Sequence, residues 1–279
     1  MINAHCEAPF APSGRLTVLS LSGGTAPNVV APRAEALLGG TPDLLDLAEK
    51  VARTWSGPEG SSVAVSAASE GLRLSMKGLP AHASTPEKGV SAIASLLDLL
   101  ARLPLEGPQA DFVAAFRDLI GFETDGRSLA IARSDSVSGA LTVNVGTLSA
   151  EADRVRFVLN IRFPVDGTAR AVIDDLRKRL ASRGLALATE EHHEPLYVPP
   201  ESELVRKLQK VYLEITHREP TLLAIGGGTY AKSMPNIIAF GPVFPGQDYK
   251  IHEADEYWTV EDIMLNARIM AHAIIELSR

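Results

Sequence analysis

Apolar and polar positions change period repeatedly along this chain, and the changes mark its elements. Arg15–Ser22 alternates with period two and reads as a strand that ends in a Gly23-Gly24 turn, with a second strand near Val29–Leu38. Thr41–Trp55 then gathers Leu44, Leu45, Leu47, Ala48 and Val51 on one helical face. Ser62–Ala67 and Leu72–Lys77 alternate again, as a hairpin turning at Glu70-Gly71. Thr85 and Pro86 are a cap and a first-turn proline for a helix running to Leu103, with Val90, Ile93, Leu97, Leu100 and Leu103 as its stripe. A helix at Ala110–Leu119 and a polar loop from Glu123 to Gly139 follow.

The pattern then returns in outline. Strands at Leu141–Leu148 and Arg154–Phe163 lead to a helix at Ala169–Arg183 and a strand at Leu185–Glu191. Strand, strand, helix, strand also describes residues 15–67, so two related units are expected, each an antiparallel sheet with helices on one face. Pro195, Pro199 and Pro200 mark a boundary. Beyond it, a helix at Ser202–Thr216, short apolar strands at Thr221–Ile225 and Asn236–Phe240, and a helix at Val260–Leu277 suggest part of a parallel α/β sheet. The capping box Thr259-x-x-Asp262 opens the last helix. Residues 1–14 hold Pro9, Pro12 and Gly14 and read as a loose leader. The expected organisation is therefore leader 1–14, domain 15–194 and C-terminal segment 195–279.

Composition narrows the class. Of 279 residues, 46% are apolar and 22% charged, which is globular composition. A net charge of −7 argues against nucleic acid and anionic membrane as partners. Cys6 is the only cysteine, so no internal disulfide or zinc ribbon can form. The greasiest stretch, Ala92–Leu103, is interrupted by Asp98 and Arg102 and is too short to span a membrane. The opening residues lack the basic and apolar regions of a secretory signal, which makes the cytoplasm the expected compartment.

Four segments carry candidate chemistry. Gly226 to Ser233 mimics a phosphate loop, but Pro235 stops the long helix that would aim amides at phosphate; a small carboxylate suits the glycine run better. Glu190-Glu191-His192-His193-Glu194 looks like a metal cluster. On a strand, however, adjacent side chains point to opposite faces, and a solvated strand end is the better reading. His82, between Ala81 and Ala83, and His252, in the polar loop before the last helix, are each either a reactive imidazole or a surface residue.

Taken in order, Gly24-x-x-x-Asn28-Val29-Val30-x-Pro32, Ala81-His82-Ala83-Ser84-x-Pro86-x-x-Gly89, Ile161-Arg162-Phe163-Pro164, Ile225-Gly226-Gly227-Gly228-Thr229-Tyr230-Ala231-Lys232 and His252-x-Ala254-x-Glu256-Tyr257-Trp258 resemble bacterial dizinc dipeptidases. These are the carnosinase-like, Xaa-His dipeptidase relatives of aminoacylase and succinyl-diaminopimelate desuccinylase. The resemblance implies a zinc-exopeptidase-like α/β catalytic domain interrupted by a lid of two related subdomains, with residues 15–194 as the lid. It further implies His252 as a metal ligand and His82 as the lid histidine that steadies the oxyanion. Asn28 and Arg162 would bind substrate, and Gly227, Gly228 and Thr229 would lie near its C-terminal end. Lys232 stands where that branch commonly has arginine. The implied cofactor is a pair of zinc ions, with manganese or cobalt as substitutes, and the implied substrate a dipeptide. In that family the other ligands and the glutamate pair with the general base precede the lid, and nothing here matches them. The chain is accordingly expected to correspond to the lid and C-terminal part, to be inactive and hold no zinc tightly alone, and to self-associate through an incomplete sheet. The alternative is a non-catalytic peptide-binding or interaction module.

Overall fold

Eight strands form one sheet, antiparallel at every pairing. The computed structural model describes residues 1–151, 153–225, 229–234, 237–241, 243–247, 249 and 255–279. They divide into two compact units, Met1–Pro195 and Leu196–Arg279. The first unit runs β1 (Ile2–Pro9), β2 (Leu16–Gly23), β3 (Arg33–Gly40), α1 (Pro42–Thr54), β4 (Ser62–Ala68), β5 (Gly71–Lys77), α2 (Ala92–Leu100) and α3 (Gly107–Leu119). A two-residue hairpin, β6 (Ser134–Asp135) and β7 (Gly139–Ala140), precedes β8 (Thr142–Glu151), β9 (Arg154–Arg162), α4 (Ala169–Ala181) and β10 (Ala186–His192).

Two related halves are present, but they share a single sheet. Outward from the centre one half reads β2-β3-β5-β4 and the other β8-β9-β1-β10. In each, strand, strand, helix and strand follow in sequence, and the strand after the helix lies at the sheet edge. The seam between them is short: only Ser22 with Ser149 and Gly23 with Leu148 pair across β2 and β8.

Residues 1–14 are no loose leader. Ile2, Ala4, Cys6 and Ala8 point alternately into the core, and β1 is inserted between β9 and β10. Alanines signal weakly in a hydrophobicity pattern, yet their size suits a tightly covered strand. The expected helix from Pro86 is also corrected. Pro86–Lys88 makes one 3-10 turn, and mutual backbone hydrogen bonds between Leu79 and Val90, 2.9 and 2.8 Å, hold the next residues extended. Helix α2 begins only after Ser91, whose hydroxyl accepts from the Ala94 N–H.

Helices α1–α4 share one continuous core with one face of the sheet. At its centre Phe10, Phe112, Phe116 and Phe157 stack with ring centroids 5.6 to 6.0 Å apart. Each such ring contributes about 1.5–3 kcal/mol by burial. The amide of Gln109, fully buried, bonds Val18 N–H at 2.8 Å, Val18 O at 2.8 Å and Phe10 O at 3.3 Å, so no polar atom of it is stranded. The other face of β9, with Arg154, Arg156, Asn160 and Arg162, belongs to the polar side.

In the second unit α5 (Glu203–Thr216) and α6 (Val260–Leu277) pack through Leu208, Val211, Phe244, Ile269 and Ala273. Asp262, in the first turn of α6, accepts from Thr259 Oγ1 at 2.5 Å, Tyr249 OH at 2.6 Å and Gln247 Nε2 at 3.0 Å. These bonds hold its carboxyl below the usual range. Thr221–Ile225 and residues 237–240 are not strands. Leu223 and Ile225 are exposed, so the expected buried parallel strands do not form here. Self-association through an incomplete C-terminal sheet therefore has no strand edge to use among the described residues of this unit. No described helix is long and apolar enough to cross a membrane.

Candidate functional site

Backbone pairing brings the first two candidates together. Residues 28–30 and 81–83 run antiparallel, with the Val30 N–H donating to Ala81 O and the Ala83 N–H to Asn28 O, both at 2.9 Å. Val29 faces His82 in this bridge. Asn28 and His82 are both exposed.

His82 Nδ1 lies 2.7 Å from Ser84 Oγ and accepts from the Ser84 backbone N–H at 3.3 Å. A backbone N–H can only donate, so this contact suits the tautomer in which Nδ1 accepts and Nε2 carries the proton. That tautomer presents a donor, which is what an oxyanion needs.

Arg162 ends β9 and pairs with Thr142 on β8. Thr142 Oγ1 donates to Ala83 O at 3.3 Å, linking the arginine's strand pair to the histidine's loop. The guanidinium is half-buried. Its Nε donates to Asn160 Oδ1 at 3.0 Å, and among the described residues it makes no ion pair with a carboxylate. Burial lowers its pKa from the ordinary value. A desolvated cation lacking an internal counter-ion is suited to an anionic ligand.

The loop bearing Asn28 is fixed from β8. Asn144 Nδ2 donates to Pro27 O and Val29 O, each at 3.0 Å. Two glycines permit the approach. A Cβ on Gly146 would sit 2.3 Å from Pro27 O, and one on Gly24, where φ is +76°, would sit 1.9 Å from Gly146 O. Asn144 and Asn160 escaped the sequence reading, because asparagine inside a strand carries no pattern until the register is known.

Thr229 belongs to the second unit, where its Oγ1 accepts from the Ala231 N–H at 3.3 Å and opens a 3-10 turn over Tyr230–Ser233. Among the described residues directly after the glycine run there is this one 3-10 turn and no long helix of the kind a phosphate loop opens. Gly227, Gly228 and His252 lie outside the described residues. The acidic-histidine run is a strand end: Glu190 pairs with Arg177 at 3.5 Å, and the Glu194 carboxylate accepts from the Ala169 N–H at the start of α4. No group of three or more His, Cys, Asp or Glu among the described residues could hold a metal ion.

An antiparallel sheet layered with helices on one face thus carries a histidine, an asparagine and an arginine joined by short backbone links. Residues 68–187 match the peptidase dimerisation domain of the M20 family. The chain is also similar to curated putative dipeptidases. It is 31% identical over 285 residues to "Putative dipeptidase YtjP" of Bacillus subtilis, covering 100% of this chain and 60% of that protein. A "Putative dipeptidase" of Staphylococcus epidermidis is 29% identical over 208 residues, 74% of this chain and 44% of its own length. The chain thus spans about half the length of the curated relatives it matches. The crystal structure of the aminoacylhistidine dipeptidase from Vibrio alginolyticus aligns with a TM-score of 0.46 at 14% identity, over 99% of this chain and 61% of that one.

Proposed function

We propose that this chain supplies the substrate-binding lid and C-terminal part of a metal-dependent dipeptidase, with Arg162 reading the peptide's carboxylate. The observation that carries the reading is the half-buried Arg162 guanidinium, anchored through Nε and without a carboxylate partner among the described residues. A carboxylate across the fork gives charge-assisted hydrogen bonds that water-exposed lysine would not match. Asn28 would bind the peptide backbone, and His82, donating from Nε2, would steady charge developing on the scissile carbonyl oxygen.

Gly227, Gly228 and Thr229 enter this reading as contacts for the substrate's C-terminal end, and His252 as a metal ligand; both rest on the resemblance. The described residues do not themselves compose a metal centre. Zinc, when bound in a complete enzyme of this kind, would supply Lewis-acid polarisation. Self-association accords with the name of the matched domain, and β4 and β10 are the edges the sheet offers for it.

The test is titration of the chain with alanyl-alanine and with alanyl-alanine amide, which lacks the carboxylate. Arg162→Ala weakens the dipeptide by about tenfold or more, and the amide binds the unaltered chain as weakly, because a charged hydrogen bond is lost in both cases. Equal affinities throughout would sink the reading.

A further inference from the structure

A row of three asparagines crosses the polar face of the sheet. Asn3 on β1 pairs with Asn160 on β9, and Asn160 pairs with Asn144 on β8. Asn160 and Asn144 are 1% and 4% exposed, yet each is hydrogen-bonded. Burying two amides in a sheet is unfavourable unless the partners are well placed, and leucine or valine would fill such positions without that demand.

The partners show the purpose. Asn160 Nδ2 donates to Asn3 Oδ1 at 2.6 Å, which fixes the amide plane and leaves Oδ1 as the acceptor for Arg162 Nε at 3.0 Å. That hydrogen bond commits Nε of the guanidinium. One position along the ladder, Asn144 spends both amide hydrogens on Pro27 O and Val29 O, the carbonyls on either side of Asn28. Neighbours in one row therefore address two candidate ligand-binding elements that lie far apart in sequence.

Resting on the proposed carboxylate role of Arg162, we propose that Asn3, Asn160 and Asn144 form a positioning frame that sets Arg162 and the Asn28–His82 bridge in one orientation before substrate arrives. They are positioning residues; none is required to touch substrate. Pre-orientation removes the cost of ordering a long arginine side chain at the moment of binding.

The experiment uses the full chain, NMR of the arginine Nε–H groups and alanyl-alanine as the probe. In the unaltered chain the Arg162 Nε–H exchanges with water at least tenfold more slowly than that of Arg170, whose side chain is 90% exposed. Asn160→Ala abolishes that difference and weakens the dipeptide about tenfold. Asn160→Asp keeps the slow Nε–H, because a carboxylate still accepts from it, but weakens the dipeptide more, since the guanidinium is now internally paired. Asn144→Ala accelerates exchange of the Val30 and Ala83 amides with the Arg162 signal unchanged. An Arg162 Nε–H that exchanges as fast as Arg170 in the unaltered chain overturns the frame without any variant. So does a folded Asn160→Ala that binds the dipeptide within twofold while Arg162→Ala does not; in that case the carboxylate reading stands. Arg162→Ala binding normally removes that reading and the frame with it.

Discussion

Asp135 shows how much a single turn can do to a carboxyl. It accepts from the backbone N–H groups of Ser138, Val137 and Asp166 and from the Ser138 hydroxyl. Those donors, the Ser138 amide foremost, lower its pKa from 3.8 to about 2. A carboxyl depressed in the folded state contributes stability above its ordinary pKa and loses it as pH falls through the folded value. The β6–β7 hairpin is therefore intact at pH 5 and loosens between about pH 4 and 2, which carboxyl-carbon NMR of Asp135 would follow. Titration near 3.8 would contradict the assigned bonds. At this scale the sequence was informative for exposed residues and mute for buried ones. Asn28, His82 and Arg162 stood in ordered motifs, whereas Asn144 and Asn160 acquire meaning only from strand register. Cys6, buried and with its thiol pushed well up by desolvation, is correspondingly inert.

Between residues and the whole, close backbone approach decides where elements begin and stop. The β2–β8 ladder ends after Gly23, and the loop bearing Pro27 crosses β8 at Gly146. Gly146→Ala would drive a Cβ into the Pro27 backbone, 2.3 to 2.5 Å away. The strand and loop would have to part, costing about 1–3 kcal/mol as overpacking does. Denaturant unfolding measures this, and a change under 0.5 kcal/mol would show that the loop yields freely. The 62–77 hairpin and helices α1, α4, α5 and α6 were legible because their periods are strong, and α4, α5 and α6 also carry local side-chain caps. The start of α2 was not, since a bridge from Leu79 outweighs the Thr85-Pro86 signal. Strand β1 was hidden by the small size of Ala4 and Ala8. The C-terminal strands misled because an apolar run, such as Thr221–Ile225, predicts burial only where partners exist.

For the molecule as a whole, the two units have unequal cores. One is a continuous cluster under eight strands; the other rests on two helices and a few apolar contacts. Hydrogen exchange should consequently be slowest in β9 and at least tenfold faster in α5 and α6 under native conditions. Equal protection would mean that the second unit is held by more than its own packing. The sheet order carries a different consequence, in time rather than strength. Strand β1 pairs only with β9 and β10, so Ile2 meets Ile161 and His192 across most of the first unit. During synthesis the strands β2, β3, β4 and β5 find one another early, whereas β1 must wait unpaired until β9 emerges and gains its second neighbour only near residue 190. Its half closes late, through a long loop, and folding of the sheet is paced by that insertion.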